Sequence, residues 1–571
     1  MTTMPMISLA AGMTTLDWVI IVVYLAILVA SGIWLSLREP SGSDEYFLAS
    51  RRMPVWAVAF SILASSLSVA TFIGGPEQSF RGDLTYLSTN IGGILAVFVV
   101  AWVFIPAFYR ANCTTIYEVL EHRMGRGAKE AASAAFMIGR VFASGARLYI
   151  AALPMAAIIF GLNDQSATPL IVAICILAFA GVVVTLVGGI ASVIWTDVLQ
   201  TLVMLGAVIG AIVYLLWLIP APMGDVVHAL HTGGKDGASK LAVVTTGFPL
   251  DFSENFTLIT AVLGFSLLSL ASYGTDHDMV QRMLTCKSAV SGGRSAFIAT
   301  FAAIPVVGLF LLIGLLLWVF YTRADLMGRA GPGPEAAAAA TAQGAQPFLQ
   351  FIVQEMPTGL RGAMIAGIFA VGLGSLNSAI NAMAATFVKD FYTRWVPARS
   401  ERHYLLAGRW ATVGWGVALA LFAVLCVFWR QADAGKTLIA FALSVMTFAY
   451  AGLLAIFITA LFTKRGSSAS AIAALATGFV VVLVFQIPFW MVLAQLGIVP
   501  PATLVDPLTG NPATIPHTAD TLKNALPWLK AAFPWHLLCA TTLALGVCLL
   551  GTRPTQERGS SMSSGAAPTS A

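Results

Sequence analysis

Of 571 residues, 58% are hydrophobic and only 10% charged, with a mean hydropathy of +0.85, whereas soluble domains carry about 25% charged residues. Those values exclude a soluble globular chain and indicate a single integral bundle of membrane spans. The formal net charge of +5 is carried by loops, where it orients a chain in the bilayer rather than forming a nucleic-acid surface.

Apolar stretches of spanning length recur along the chain, predicting about thirteen transmembrane helices and an all-α integral membrane protein. They run near 17–37, 55–75, 88–109, 131–160, 168–187, 190–218, 257–283, 296–321, 362–389, 405–429, 437–463, 469–494 and 535–552. With the N-terminus outside, Arg51, Arg52, Arg110, Arg123, Arg282, Lys389 and many others fall on the inner side, outnumbering the basic residues of the longer outer loops. The expectation is a cell (inner) membrane protein with its C-terminus cytoplasmic. The outer loops near 219–256, 323–361 and 495–534 are rich in Pro, Gly and Ala and predict no folded domain. The tail 553–571 is expected to be a disordered cytoplasmic segment. The six cysteines show no C-x-x-C spacing and read as buried thiols.

Two stretches are out of character for lipid-facing helices. Leu63 to Pro76 collects four hydroxyl side chains and then Gly-Gly-Pro, and Leu263 to Thr275 holds Ser266, Ser269, Ser272, Tyr273, Gly274 and Thr275. Hydroxyls compete for the backbone and Gly and Pro loosen or break a helix. Irregular backbone at membrane depth is tolerated only where it lines a cavity or holds an ion. Each stretch opens a set of five spans, and the two sets begin on opposite sides, as an inverted repeat requires. The predicted division is a leading segment 1–54, repeats at 55–218 and 257–463, and two trailing helices in 464–552.

In the ninth span Val371, Gly374, Ser375 and Ser378 share one helical face. That face offers neutral oxygens of the kind a hard cation takes, and carbonyls near Ala64 and Leu67 complete a shell. Asp197 lies within the sixth span, where an unpaired carboxylate is costly; a second cation site, a proton carrier and a wet helix end all stay open. Arg140, Arg147 and Arg409 are the basic residues left within spans. Arg147 suits either a substrate carboxylate or an internal acid. Asp276 and Asp278 read as an inner gate network or an interfacial cap, and His277 as an interfacial residue. No nucleophile-base pair or P-loop emerges, so the chain is not read as an enzyme.

Gly188-Gly-Ile-Ala-Ser-Val-Ile-Trp-Thr-Asp-Val-Leu-Gln-Thr-Leu-Val-Met-Leu-Gly206 closely resembles the signature of the sodium:solute symporter family. Asp44-Glu-Tyr-Phe-Leu-Ala49, Ala70-Thr-Phe-Ile-Gly-Gly-Pro76, Val280-Gln-Arg282, Lys389-Asp-Phe-Tyr392 and Gly408-Arg-Trp-Ala-Thr412 match in family order. The resemblance implies a LeuT-like five-plus-five inverted repeat and Na⁺-driven uptake of a small organic solute by alternating access, with the lipid bilayer as its other partner and the monomer as the working unit. It implies a Na⁺ site at the carbonyls of Ala64, Leu67 and Val371 and at positions 374 and 375. Many members have Ser at both, whereas here they are Gly374 and Ser375. A second cation site would map to Asp197, Asn377 and Ser378. For substrate the implied and residue-based positions are Ser66, Thr71, Gln78, Thr89, Asn90, Arg147, Ser269 and Tyr273, with Ser272 and Asp276 at a gate. Little of the sugar branch's hydrogen-bonding capacity is kept, which favours an amino acid or carboxylate over a sugar. Proton coupling is the mechanistic alternative and a membrane sensor the remoter one.

Overall fold

The protein is seen in a computed structural model that describes residues 13–36, 48–161, 167–186, 190–248, 250–328, 331–342, 345–432, 437–496, 503–505, 512–514, 522–523 and 526–552. The expected tail 553–571 lies outside the described residues. Nine helices are long and apolar enough to cross a membrane, or twelve if three sharply bent pairs each count as one span, among the described residues. A shorter apolar stretch, Thr15–Leu28, adds the leading candidate.

The helices are α1 (Thr15–Ser36), the bent pair α2 (Val55–Ser66) and α3 (Val69–Arg81), α4 (Thr85–Arg110), α5 (Arg126–Phe160), α6 (Ala167–Thr185) and α7 (Ile190–Leu218). Then come the bent pair α8 (Leu258–Gly274) and α9 (His277–Leu284), α10 (Ala289–Thr322), α11 (Leu360–Phe387), α12 (Glu401–Ala432) and α13 (Leu438–Phe462). Each run of five spans thus opens on a bent pair. A third bent pair, α14 (Ser468–Val484) and α15 (Ile487–Gln495), and then α16 (Phe533–Leu550) follow. The twelfth predicted span is therefore not one straight helix: it turns by 81° just before Pro488, which cannot continue the preceding helix's ladder. A two-stranded hairpin, Thr503–Val505 with Pro512–Thr514, is the sole sheet among the described residues.

The first break falls one step earlier than the Gly-Gly-Pro sequence suggests. The helix runs unbroken through Gly74, Gly75 and Pro76, and the bend of 60° sits at Leu67 and Ser68, both extended. The glycines serve close packing instead. A Cβ on Gly74 would come within 3.0 Å of Ile439 on α13, and one on Gly314 of α10 would come within 2.1 Å of the Pro76 carbonyl. Ser79 seals the latter seam by donating to the Leu311 carbonyl at 2.7 Å.

Buried acids fix helix ends to one another. Asp17 accepts from the amides of Gly359 (2.8 Å) and Gly362 (3.0 Å), docking α1 on the start of α11. Glu77, buried in α3, accepts from the Leu438 amide at the start of α13 at 3.2 Å. Both place a carboxylate at a helix N-terminus, where the free amides and the dipole favour it.

The loops expected on the outer side hold more structure than their composition suggests. Pro334–Thr341, within the Ala-rich run, is a helix with proline in its first turn, as is Pro347–Gln354 without such a run, and Met223–Thr232 is a helix that follows Pro222 as its N-cap. Alanine is the strongest helix former and proline suits that first position. Lys240, buried in the first loop, donates to the Phe80 carbonyl at 3.0 Å and to that of Gly82, and sits 5.2 Å from the Trp318 ring centre. It clasps the loop to the C-terminal end of α3.

Candidate functional site

Around the first break the helical bonding is interrupted. The Leu67 amide still reaches the Leu63 carbonyl at 3.0 Å, and the Ser66 hydroxyl donates to the same carbonyl at 2.8 Å. The amides of Thr71 and Phe72 both turn to Ser68, at 2.8 and 3.0 Å. The carbonyls of Ala64 and Leu67 therefore receive no bond continuing the helix, among the described residues. The second break comes at Thr275 and Asp276, where α8 and α9 meet at 56° and the Asp276 side chain caps the amide of Asp278 at 3.1 Å.

The two broken segments share one cavity of about 160 Å³. Ser66, Thr71, Thr89, Asn90, Arg147, Ser269 and Tyr273 line it, as does Ser272. Gln78 does not: it points to the start of α13, where its Oε1 accepts from the Thr437 hydroxyl at 3.2 Å. That position is a correction to its expected substrate role, because α3 continues past the glycines and carries Gln78 two turns beyond Thr71. Met446, Tyr86 and Thr300 also line the cavity; their types carry no distinctive signal in an apolar sequence.

Arg147 is the one charged residue on this wall. It is buried on α5; among the described residues its Nη2 hydrogen-bonds the Met446 sulfur at 3.5 Å and its Nε has no hydrogen-bond partner. Among the described residues no carboxylate forms an ion pair with it. The Asp276 carboxylate is taken by Arg140 (3.3 Å) and by the Tyr450 hydroxyl (2.9 Å). Arg409, by contrast, is exposed on α12.

Of the expected Na⁺ ligands, Ala64, Val371 and Gly374 meet at a second, smaller void of about 10 Å³, together with Gln200 and Thr201 of α7. Leu67, at the break, lines the large cavity. The Ser375 hydroxyl donates to the Gly372 carbonyl at 3.1 Å, leaving its lone pairs for a cation. Gln200 went unremarked in the sequence although it follows Asp197 by three positions and so shares its face.

The residues mapped to a second cation site do not face one another across an open space. Asp197 and Ser378 both contact the guanidinium of Arg282: Nη2 lies 3.4 Å from Asp197 Oδ2, and Ser378 is hydrogen-bonded to Arg282 and to Asp278. Ser61 bridges, donating to Asp197 at 2.5 Å and accepting from Arg282 Nε at 2.8 Å. Asn377 turns away, accepting from Thr185 at 3.3 Å. Arg282 also holds Asp278 at 2.6 Å, and Arg140 pairs with both Asp276 and Asp278. Asp276, His277 and Asp278 are all buried, which corrects the interfacial reading of this segment. Its charges stay at depth because each acid faces a guanidinium and the hydroxyls satisfy what remains.

A model of the sodium:solute symporter family matches residues 46–478. The chain belongs to that family. It is similar to the sodium/sialic acid symporter NanT of Aliivibrio fischeri, at 27% identity over 83% of this chain and 88% of that one. It is also similar to the sodium/glucose cotransporter of Vibrio parahaemolyticus, at 26% identity over 81% and 83%. A solved structure of a Na⁺-coupled sialic acid symporter in a substrate-bound outward-open state matches with a TM-score of 0.72 and 21% identity, covering 94% of this chain and 97% of that one. That likeness is one of fold, the LeuT-like inverted repeat. The protein is a multi-pass, Na⁺-coupled symporter of a small solute.

Proposed function

We propose that the symporter imports a small organic carboxylate with one Na⁺. The observation that carries this reading is Arg147, a buried guanidinium on the cavity wall that forms no ion pair with an acid among the described residues. A charge kept there without a partner is costly unless a ligand brings one. A carboxylate matches the guanidinium fork bidentately, and the hydroxyls and amide of Ser66, Thr71, Thr89, Asn90 and Ser269 suit the oxygens of such a solute. The wall carries no Asp or Glu, so an amino acid's ammonium would find only carbonyls and hydroxyls. A cavity near 160 Å³ is close to the roughly 150 Å³ that holds a benzene ring, which favours a small acid over a sugar. An acid is also named as the substrate of NanT.

Na⁺ binds between α2 and α11, at the carbonyls of Ala64, Leu67 and Val371 and the Ser375 hydroxyl. Its arrival tightens the break beside Ser66, which touches both the ion segment and the cavity. Arg282, lodged between Asp197 and Ser378, supplies internally the positive charge that a second ion would bring. The buried Arg140, Asp276, Asp278 and Tyr450 network follows the gate position Ser272 and must be rearranged for release inward. The orientation is N-terminus outside.

Purified protein screened for thermal stabilisation by short carboxylates and their uncharged amides, with and without Na⁺, tests the reading. Stabilisation by acids that requires Na⁺, with none by the amides, is the expected result. Equal response to amides or neutral sugars would overturn the carboxylate assignment.

A further inference from the structure

Position 374 faces α7 rather than open space. A Cβ built on Gly374 would lie 2.2 Å from Gln200 Oε1 and 3.1 Å from its Cδ. No side chain, serine included, fits there while Gln200 keeps its place. Gln200 is itself buried, and it lines the small void together with Ala64, Val371 and Gly374. Its Nε2 makes no hydrogen bond of normal geometry; the Tyr24 hydroxyl of α1, equally unsatisfied, interacts with the same amide. The acceptor of the same amide, Oε1, is the atom turned toward position 374, and no positive group is among the residues of that void.

Building on the Na⁺ site proposed above, we infer that the Gln200 side-chain oxygen is a Na⁺ ligand in this protein, standing where a hydroxyl at position 374 would otherwise reach the ion. An amide oxygen is a neutral, hard donor of the kind such cations take. The glycine is then not a lost ligand. It is the clearance that lets a donor approach from α7, and the site keeps its number of side-chain oxygens. The void, close to the volume of one water, is of the right scale for a dehydrated Na⁺. A consequence is that α7 becomes tied to α2 and α11 when the ion binds. Asp197, one turn away on α7, then moves with the ion site, as does the Arg282 network it holds.

The test is Na⁺ titration of purified protein, read by Na⁺-induced thermal stabilisation without solute and by the Na⁺ concentration for half-maximal uptake in proteoliposomes. Gln200→Met, close in volume but without the amide oxygen, should raise both midpoints tenfold or more. Gly374→Ser alone should also impair Na⁺ binding, because its Cβ meets Gln200. The double variant Gln200→Ala with Gly374→Ser restores a hydroxyl and the room for it, and should recover to within about threefold of the parent. Unchanged midpoints in Gln200→Met, or a double variant no better than Gln200→Ala, would overturn the ligand assignment. Ser375→Ala separates the two layers. If Ser375→Ala shifts the midpoint and Gln200→Met does not, the ion site stands and Gln200 is not in it. If neither shifts it, the site itself is misplaced.

Discussion

Replacing Arg147 with methionine separates two roles that a buried guanidinium can have. A structural arginine holds an internal acid, and removing one partner of such a buried pair costs about 3–5 kcal/mol of stability. Arg147 forms no ion pair with an acid among the described residues: it contacts the Met446 sulfur and the cavity, and Asp276 acts on it only from beyond ion-pair distance. Its removal relieves an uncompensated charge, so the empty Arg147→Met protein should unfold at a temperature equal to or above that of the parent. Substrate binding should suffer heavily. Truncating one partner of a desolvated charge pair costs about 2–5 kcal/mol, and at about 1.4 kcal/mol per tenfold that is roughly 30-fold to 4000-fold in affinity. Thermal unfolding of the empty protein and isothermal titration with the best carboxylate from the screen measure the two effects. A destabilised apo protein with near-normal affinity would refute the reasoning and make Arg147 a structural residue.

Coupling one Na⁺ to one carboxylate moves no net charge, so uptake should draw no current. It should ignore an imposed potential that would otherwise add about 2.3 kcal/mol per charge at 100 mV, and a tenfold Na⁺ gradient alone then sustains about tenfold accumulation. Potential-dependent uptake measured with a K⁺ diffusion potential would require a second ion. Asp278→Asn leaves Arg140 and Arg282 short of a shared acid and should cost about 3–5 kcal/mol, seen as a large fall in unfolding temperature with Na⁺ present or absent. Burial lowers the Lys240 ammonium to about 8, while the unfolded chain holds that proton to about 10.4. The unfolded state therefore binds more protons across that window, and stability should rise as pH climbs from about 8 towards 10. Lys240→Met should abolish that part of the slope in unfolding temperature against pH.

Much of this architecture was legible because the bilayer imposes strict rules. A span needs about twenty apolar residues, and hydroxyls, Gly and Pro at depth need protein around them. Leu63 to Pro76 and Leu263 to Thr275 stand out on those grounds alone, and the motif around Asp197 points to the family. Ser66, Thr71 and Thr89 follow from the family resemblance, and with Asn90, Arg147, Ser269 and Tyr273 they line the cavity, whereas Gln78 does not. What periodicity cannot reach is which polar groups neutralise one another across helices. Asp197, Asp276, Asp278, Arg140 and Arg282 look like separate candidates along the chain. Only the packing of α2, α5, α7, α9 and α11 joins them into one network and leaves Arg147 outside it. Likewise Gly374 reads as a missing ligand in one dimension. The approach of α7 shows that its empty volume is filled by Gln200, because a glycine's meaning lies in what stands opposite it.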